Sequence, residues 1–483
     1  MTATEPTERA AQGASALDRY FKITERGSSP LREARGGLVT FVAMVYIVVL
    51  NPIILGSAKD GNGHLLGSST QIAGATALVA AVFTLLMAFV GRYPFALATG
   101  LGLNAFVAFQ VASKMSWESA MGMVVIEGLV ITVLVLTGFR TAAFRAIPTE
   151  LKSAIAVGIG LFIAIIGLAD GGIVRAGAGT VVQLGPDGNL RGWPIATFVV
   201  TLAVIAILMA RKVKGAILIG IIVGTVFAFV VQAIHDQGLA GAKNPLGWQL
   251  NVPTFKGHHF GAPDLGLVGH FSLGGGFDAV GVWSGIVIIF SLVLSDFFDV
   301  MGTTIGLASE ANLLDKDDNL PGITNVLLVD GLAAVGGGVG GASSATTYVE
   351  SAAGIGDGAR TGFASVITGL LFVVTVFLSP LAAYVPSEAA APALVVVGVL
   401  MMRQIKNIDF QDLTIAVPAF LTMVLMPFTY SITNGVGAGF IAFVAMRTAT
   451  GRAKSVHPLL WVISIVFLVY FMIEPIKAWF GIN

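Results

Sequence analysis

Cysteine is absent from the 483-residue sequence, which excludes disulfides, thiol nucleophiles and Cys-ligated metal and leaves the redox compartment undetermined. Charge is scarce: Asp, Glu, Lys and Arg make up 11% of the chain, where a soluble domain carries roughly a quarter. Neither sign dominates, with 27 Lys and Arg against 27 Asp and Glu, so there is no basic field and nucleic acid is excluded as a partner. The first 35 residues lack the apolar core of a cleaved signal and read as a cytoplasmic tail. His-Glu-x-x-His and Gly-x-Ser-x-Gly are both missing, and no nucleophile–base pair is identifiable, so the chain does not read as an enzyme. No cofactor is implied. The adjacent pair His258–His259 is the sole hint of a metal, and such a pair in a loop usually binds nothing.

What is present is apolar surface. Hydrophobic residues reach 55%, mean hydropathy is +0.88, and 60 glycines would let membrane helices approach closely. With about 20 apolar residues per crossing, the first half offers segments near 36–56, 71–90, 94–112, 117–138, 150–169, 193–210 and 215–234. The second half offers 281–307, 320–340, 343–359, 361–383, 388–404, 411–429 and 431–448, and the run 457–480 stands outside the scheme. Fourteen spans with the N-terminus inside place 20 of the 27 basic residues on the cytoplasmic side, the bias expected of an inner-membrane protein. The polar stretch 235–280 then separates two halves of seven spans, and an odd number inverts the second half relative to the first. Pro148-Thr149-Glu150 and Pro386-Ser387-Glu388 echo one another at the starts of spans 5 and 12, each with an acid in the first turn.

Two spans are interrupted. Residues 94–104 read Pro-Phe-Ala-Leu-Ala-Thr-Gly-Leu-Gly-Leu-Asn, and 336–350 run through a glycine cluster to Thr346-Thr347-Tyr348-Val349-Glu350. Non-helical backbone at membrane depth survives only in protein or along a cavity, and paired interruptions in two halves point to a transport site. The intramembrane acids are Glu127, Asp296, Asp299, Asp330 and Glu350, with no Lys or Arg within the hydrophobic body of any span. Acids of this kind are functional by default, and without a cationic partner they are poised to exchange a proton. As ionised acceptors they suit a neutral ligand rich in N–H donors and repel an anion. Asp299 at mid-span 8 and Glu350 after the span 10 strand are the site candidates. Asp330 reads as a relay or structural tie and Glu127 as structural. Asp296, one turn from Asp299, leaves both roles open.

At these residues the chain resembles the nucleobase–cation symporter family of uracil and xanthine permeases, and within it the azaguanine-type branch for adenine, guanine and hypoxanthine. The resemblance covers about residues 30–450 and rests on four strings in order. They are Thr40-Phe-Val-Ala-Met-Val-Tyr-Ile-Val-Val-Leu-Asn-Pro52, Gly100-Leu-Gly-Leu-Asn-Ala-Phe106, Phe298-Asp-Val-Met-Gly-Thr303 and Ser344-Ala-Thr-Thr-Tyr-Val-Glu-Ser351. It implies an all-α polytopic fold of two inverted seven-span repeats with short strands in spans 3 and 10. Spans 1–4 (36–138) and 8–11 (281–383) would form a core domain, and spans 5–7 (150–234) and 12–14 (388–448) a gate. The tail 1–35, external loop 235–280 and hydrophobic segment 449–483 complete the chain. It also implies a proton-coupled, elevator-type uptake of purine nucleobases. By resemblance Asp299, Glu350 with the adjoining Val349, Leu103, Asn104, Thr303 and Thr40 contact the base, and Asp299, Asp330 and Glu350 couple the proton. Thr40 and Thr303 stand where relatives carry histidine, which shifts the proton step to the carboxylates. Ser351-Ala-Ala-Gly354 replaces Asn-x-Gly and lowers the standing of xanthine and uracil. The partners implied are a purine base, a proton and membrane lipid, and a homodimer is left open.

An anion carrier of the same architecture is the chief rival, and Asp299 with Glu350 argues against it. A passive channel would not need mid-membrane acids. The smooth faces Ala154–Leu161 and Ala393–Leu400 are expected to slide, with Gly158 and Gly398 on them.

Overall fold

The computed structural model describes residues 15–137, 147–177, 179–241, 243–255, 262–316 and 320–472. Arg9, Arg140, Arg145, Lys256, Lys477 and the His258–His259 pair fall outside them. Among the described residues eight helical runs are long and apolar enough to cross a membrane, and four further apolar helices are shorter.

The chain enters through α1 (Ala16–Phe21) and then α2 (Pro30–Met44), where Ser29 caps the first turn and Pro30 takes the position that needs no N–H. The helix breaks at Val45–Tyr46 and resumes as α3 (Ile47–Ser57). A Ser68/Gln71 capping box starts α4 (Ser69–Leu86), which ends in a wide π-turn over Met87–Gly91. Then come β1 (Leu97–Thr99), the short α5 (Leu101–Phe106), a second π-turn over Val107–Val111, and α6 (Trp117–Leu136). Next are α7 (Thr149–Asp170), the small outer strands β2 (Val174–Arg175) and β3 (Gln183–Leu184), α8 (Trp193–Ala210) and α9 (Ala216–Ile234).

The second half opens with α10 (Gly275–Val280), the long α11 (Val282–Glu310) and α12 (Ile323–Val339). It continues through β4 (Ala345–Thr347), α13 (Ser351–Gly356) and α14 (Gly362–Leu378). Span 12 is split at Pro392 into α15 (Ser387–Ala390) and α16 (Pro392–Met401), followed by α17 (Leu413–Phe428) and α18 (Ile432–Ala449). The run expected at 457–480 contains α19 (Pro458–Phe471), and its remainder lies outside the described residues.

Two sets of helices result. In one, α14 packs on α4 and α2, α13 lies on α2, and α6 packs on α12 and α11. At the α6–α12 crossing a Cβ on Gly128 would come within 2.4 Å of the Val335 backbone nitrogen, so only glycine permits this approach. In the other set α7 packs on α16, α17 and α18, and α8 packs on α9, α15 and α16. The sets meet chiefly through α5 and α11 against α7, α11 against α18, and α2 against α9.

Gly158 and Gly398, expected on a sliding face, are instead inside the second set. A Cβ on Gly158 would strike Met426 of α17, and one on Gly398 would strike the Gly160 carbonyl of α7. A smooth stripe of small residues marks tight packing here, and the wall facing the first set is made by larger residues of the same helices.

β1 and β4 pair antiparallel, with Leu97 opposite Thr347 and Thr99 opposite Ala345. Because water is scarce at this depth, each strand's spare backbone groups need protein partners. Thr84 Oγ1 accepts from Leu97 N (3.0 Å) and donates to Leu97 O (3.1 Å), and Ser351 Oγ accepts from Ala96 N (3.0 Å). The ladder is extended by Tyr348 N donating to Ala96 O (2.9 Å) and Gly100 N to Ser344 O (3.0 Å). Three-residue strands persist because every edge is tied.

Candidate functional site

The strand pair ends at a cleft between the two helix sets, about 650 Å³ when its solvent-open mouth is counted and about 100 Å³ within. From the first set Asp299 and Thr303 of α11, Tyr46, Gly100 to Leu103, and Thr346 to Glu350 line it. From the second set Ile159 and Ile163 of α7 and Val397 and Met401 of α16 close the opposite side. One wall is therefore polar and acidic, the other aliphatic.

Glu350 sits at the junction of β4 and α13, and its Oε1 accepts a hydrogen bond from Tyr46 Oη. Tyr46 lies at the junction of α2 and α3, where the backbone stays right-handed and the phenol is buried. Tyr348 is buried and donates from its hydroxyl to Thr99 O (2.7 Å), locking the ends of the two strands together. Val349 turns out into the cleft, 55% exposed. Among the described residues no Lys or Arg lines the cleft, and no three His, Cys, Asp or Glu converge as metal ligands.

The residues singled out from sequence divide into two shells. Asp299, Glu350, Leu103, Thr303 and Val349 line the cleft. Asp330, Asn104 and Thr40 do not; each is buried behind it. Asp330 Oδ1 accepts from Thr347 N (2.9 Å) and Thr347 Oγ1 (3.0 Å), so it ties α12 to β4. Asn104 Nδ2 donates to Thr99 Oγ1 (3.2 Å), bracing β1 against α5. Thr40 lies against α13, where a Cβ on Gly354 would come within 2.2 Å of its Oγ1. Glu127 Oε1 accepts from Ser344 Oγ (3.2 Å), a structural contact at the entry to β4.

Sequence reading missed Tyr46, although it falls inside the Thr40–Pro52 string, and missed the whole aliphatic wall. A phenol in an apolar helix is ambiguous until its partner is seen. Ile159, Ile163, Val397 and Met401 carry no contrast with the apolar spans around them. Chemically, the cleft offers acceptors along one edge and flat apolar contact on the other side, which suits a planar, uncharged ligand bearing N–H donors.

The profile described as Permease family matches residues 32–437. Over 461 residues the chain is 38% identical to the guanine/hypoxanthine permease PbuG of Bacillus subtilis, covering 94% of this chain and 99% of that protein. It is equally 38% identical to the adenine permease AdeP of Escherichia coli, covering 96% and 97%. Among solved structures, the transmembrane domain of the cyanobacterial bicarbonate transporter BicA aligns with a TM-score of 0.56 at 15% identity, covering 84% of this chain and 96% of that one. Murine Slc26a9, an anion transporter in its inward-facing state, aligns at 0.60 and 13%, covering 88% and 68%. These last two likenesses speak to fold alone.

Proposed function

The chain belongs to the Permease family, and from that premise we propose that it carries purine nucleobases, with adenine, guanine and hypoxanthine as the class, into the cell with protons. The observation that carries this reading is the cleft itself, with Asp299 and Glu350 on one wall and Ile159, Ile163, Val397 and Met401 on the other. The base lies flat against the aliphatic wall and presents its N–H edge to the carboxylates and to the polypeptide of residues 346–350 that lines the cleft. Desolvated acceptors discriminate strongly against ligands that leave them unpaired.

In this reading the chain has fourteen spans in two inverted repeats, in the inner membrane, with its N-terminus in the cytoplasm. The β1–β4 set is the core and the α7–α9 and α15–α18 set the gate. Transport is a rigid-body shift of core against gate about the cleft. Asp299 and Glu350 take the proton that accompanies the base, and Asp330 couples β4 to that change through Thr347. The acidic, cation-free wall disfavours the anion carrier that shares the architecture, and the Ser351–Gly354 segment disfavours xanthine and uracil.

The test is uptake of labelled hypoxanthine by cells or vesicles containing the protein, with unlabelled bases as competitors. Adenine, guanine and hypoxanthine should compete, uracil and bicarbonate should not, and an uncoupler should abolish accumulation. Full accumulation with the proton gradient collapsed and sodium present would remove the proton from the mechanism. Competition by bicarbonate or sulfate alone would replace the nucleobase.

A further inference from the structure

A second cavity lies away from the cleft, where α6 and α11 face α19. Its volume is about 500 Å³, and its lining residues are all aliphatic or aromatic. Ile126, Val130 and Leu134 come one turn apart on α6, and Ile463 faces them from α19. Along α11 the lining runs from Ile286 to Phe297, a rise of about 16 Å at 1.5 Å per residue. One leaflet's hydrocarbon is about 15 Å deep, half the bilayer core. The slot is thus as long as one leaflet is thick. Its lining offers water no polar partner.

Near one end of the slot lies another cavity of about 410 Å³ with a mixed lining, Lys454, Ser455 and His457 together with Pro148, Phe443, Val456, Pro458 and Leu460. The two cavities lie close together, since Ile147 and Leu459 line the first and their chain neighbours Pro148 and Leu460 line the second. Lys454 is exposed and forms no ion pair among the described residues. Apolar depth below and a free cation above are the two halves of a phospholipid's chemistry.

We propose that these neighbouring cavities bind an anionic phospholipid, one acyl chain in the slot between α6, α11 and α19 and the phosphate beside Lys454. Since α19 packs on α18 while α6 and α11 belong to the other helix set, the lipid lies across the boundary between the sets.

The experiment uses the full chain purified in mild detergent and delipidated, with native mass spectrometry and thermal unfolding as readouts. Wild type should retain or rebind one phospholipid, and phosphatidylglycerol should stabilise it at about fivefold lower concentration than phosphatidylcholine. Val130→Trp fills the slot and should lose stoichiometric lipid while still binding hypoxanthine. Lys454→Glu, at an exposed position, should fold normally and abolish the preference for phosphatidylglycerol. Inorganic phosphate alone should stabilise neither protein. Equal retention and equal preference in wild type and both variants would place bound lipid elsewhere on the belt and overturn the proposal. So would stabilisation by phosphate alone, or a delipidated wild type that takes up no lipid because its own C-terminal residues fill the slot. Should Val130→Trp fail to accumulate, the lipid preference of Lys454→Glu decides.

Discussion

Glu350 and Asp330 flank the same strand yet are held in different ways. Glu350 has a phenol as its partner and faces the cleft, whereas Asp330 is bound to the backbone and hydroxyl of Thr347. Their substitutions should therefore separate. Glu350→Gln preserves shape but places N–H donors where the base needs acceptors and cannot cycle a proton, so uptake should vanish with membrane abundance unchanged. Tyr46→Phe removes the hydrogen bond that holds the Glu350 carboxyl and should weaken base binding about tenfold, read by equilibrium titration. Wild-type behaviour of both proteins would move the site away from this wall. At Asp330, Asn keeps an oxygen for Thr347 while Leu orphans a buried N–H at a cost of about 1–3 kcal/mol. Asp330→Leu should unfold at a clearly lower temperature than Asp330→Asn, and equal unfolding temperatures would deny the tie. Buried acids were visible in the sequence because they are so costly in a span. Which of them would face the cleft was not, since Asp330, Asn104 and Thr40 differ from Asp299 and Glu350 only in where neighbouring backbone turns them.

Among the elements, the helices were legible as apolar runs and the two interrupted spans as clusters of Gly, Pro and Thr. The interruptions became β1 and β4, and their pairing could not be read because it depends on Thr84, Ser351 and Asp330 arriving from three other elements. The moving surface was misplaced for a related reason. Small residues signal close approach but not the partner, and Gly158 and Gly398 approach α17 and α7 within one helix set. Gly102 is one position where the sets press together, since a Cβ there would come within 2.6 Å of Ile159 Cγ2 on α7, as one on Gly215 before α9 would press on Val42 of α2. Gly102→Val should consequently slow uptake more than it weakens equilibrium binding of hypoxanthine. Gly158→Trp should instead fail to accumulate, because the Met423 and Thr422 backbone of α17 cannot yield to an indole. An unimpaired uptake rate in Gly102→Val would show that α5 and α7 do not move past one another.

Across the whole molecule the two sets are tied at both faces. At one, Ser431 Oγ donates to Gln110 Oε1 (2.9 Å) and the rings of Phe109 and Tyr430 stand edge to face at 5.5 Å. At the other, Asp357 after α13 pairs with Arg35 of its own set and with Lys214, in the turn joining α8 and α9 of the other. The hydrogen bond from Lys214, then that from Arg35, holds the Asp357 carboxyl below its ordinary value of 3.8. The sign follows from linkage. A carboxyl whose folded value is depressed contributes stability that is fully present above 3.8 and is lost as pH falls through the folded value. Because Lys214 and Arg35 are 49% and 64% exposed, the contribution is at most about 1 kcal/mol and shrinks with salt. Asp357→Asn should therefore unfold slightly earlier than wild type at pH 5 to 7, and the gap should close as pH falls below about 3.8. High salt should narrow the gap at neutral pH without moving the acid limb of the variant. Thermal unfolding of both proteins across that range measures it directly. A gap that stays constant down to acid pH would mean that Asp357 acts through packing, and that no charge bridges the two sets at this face.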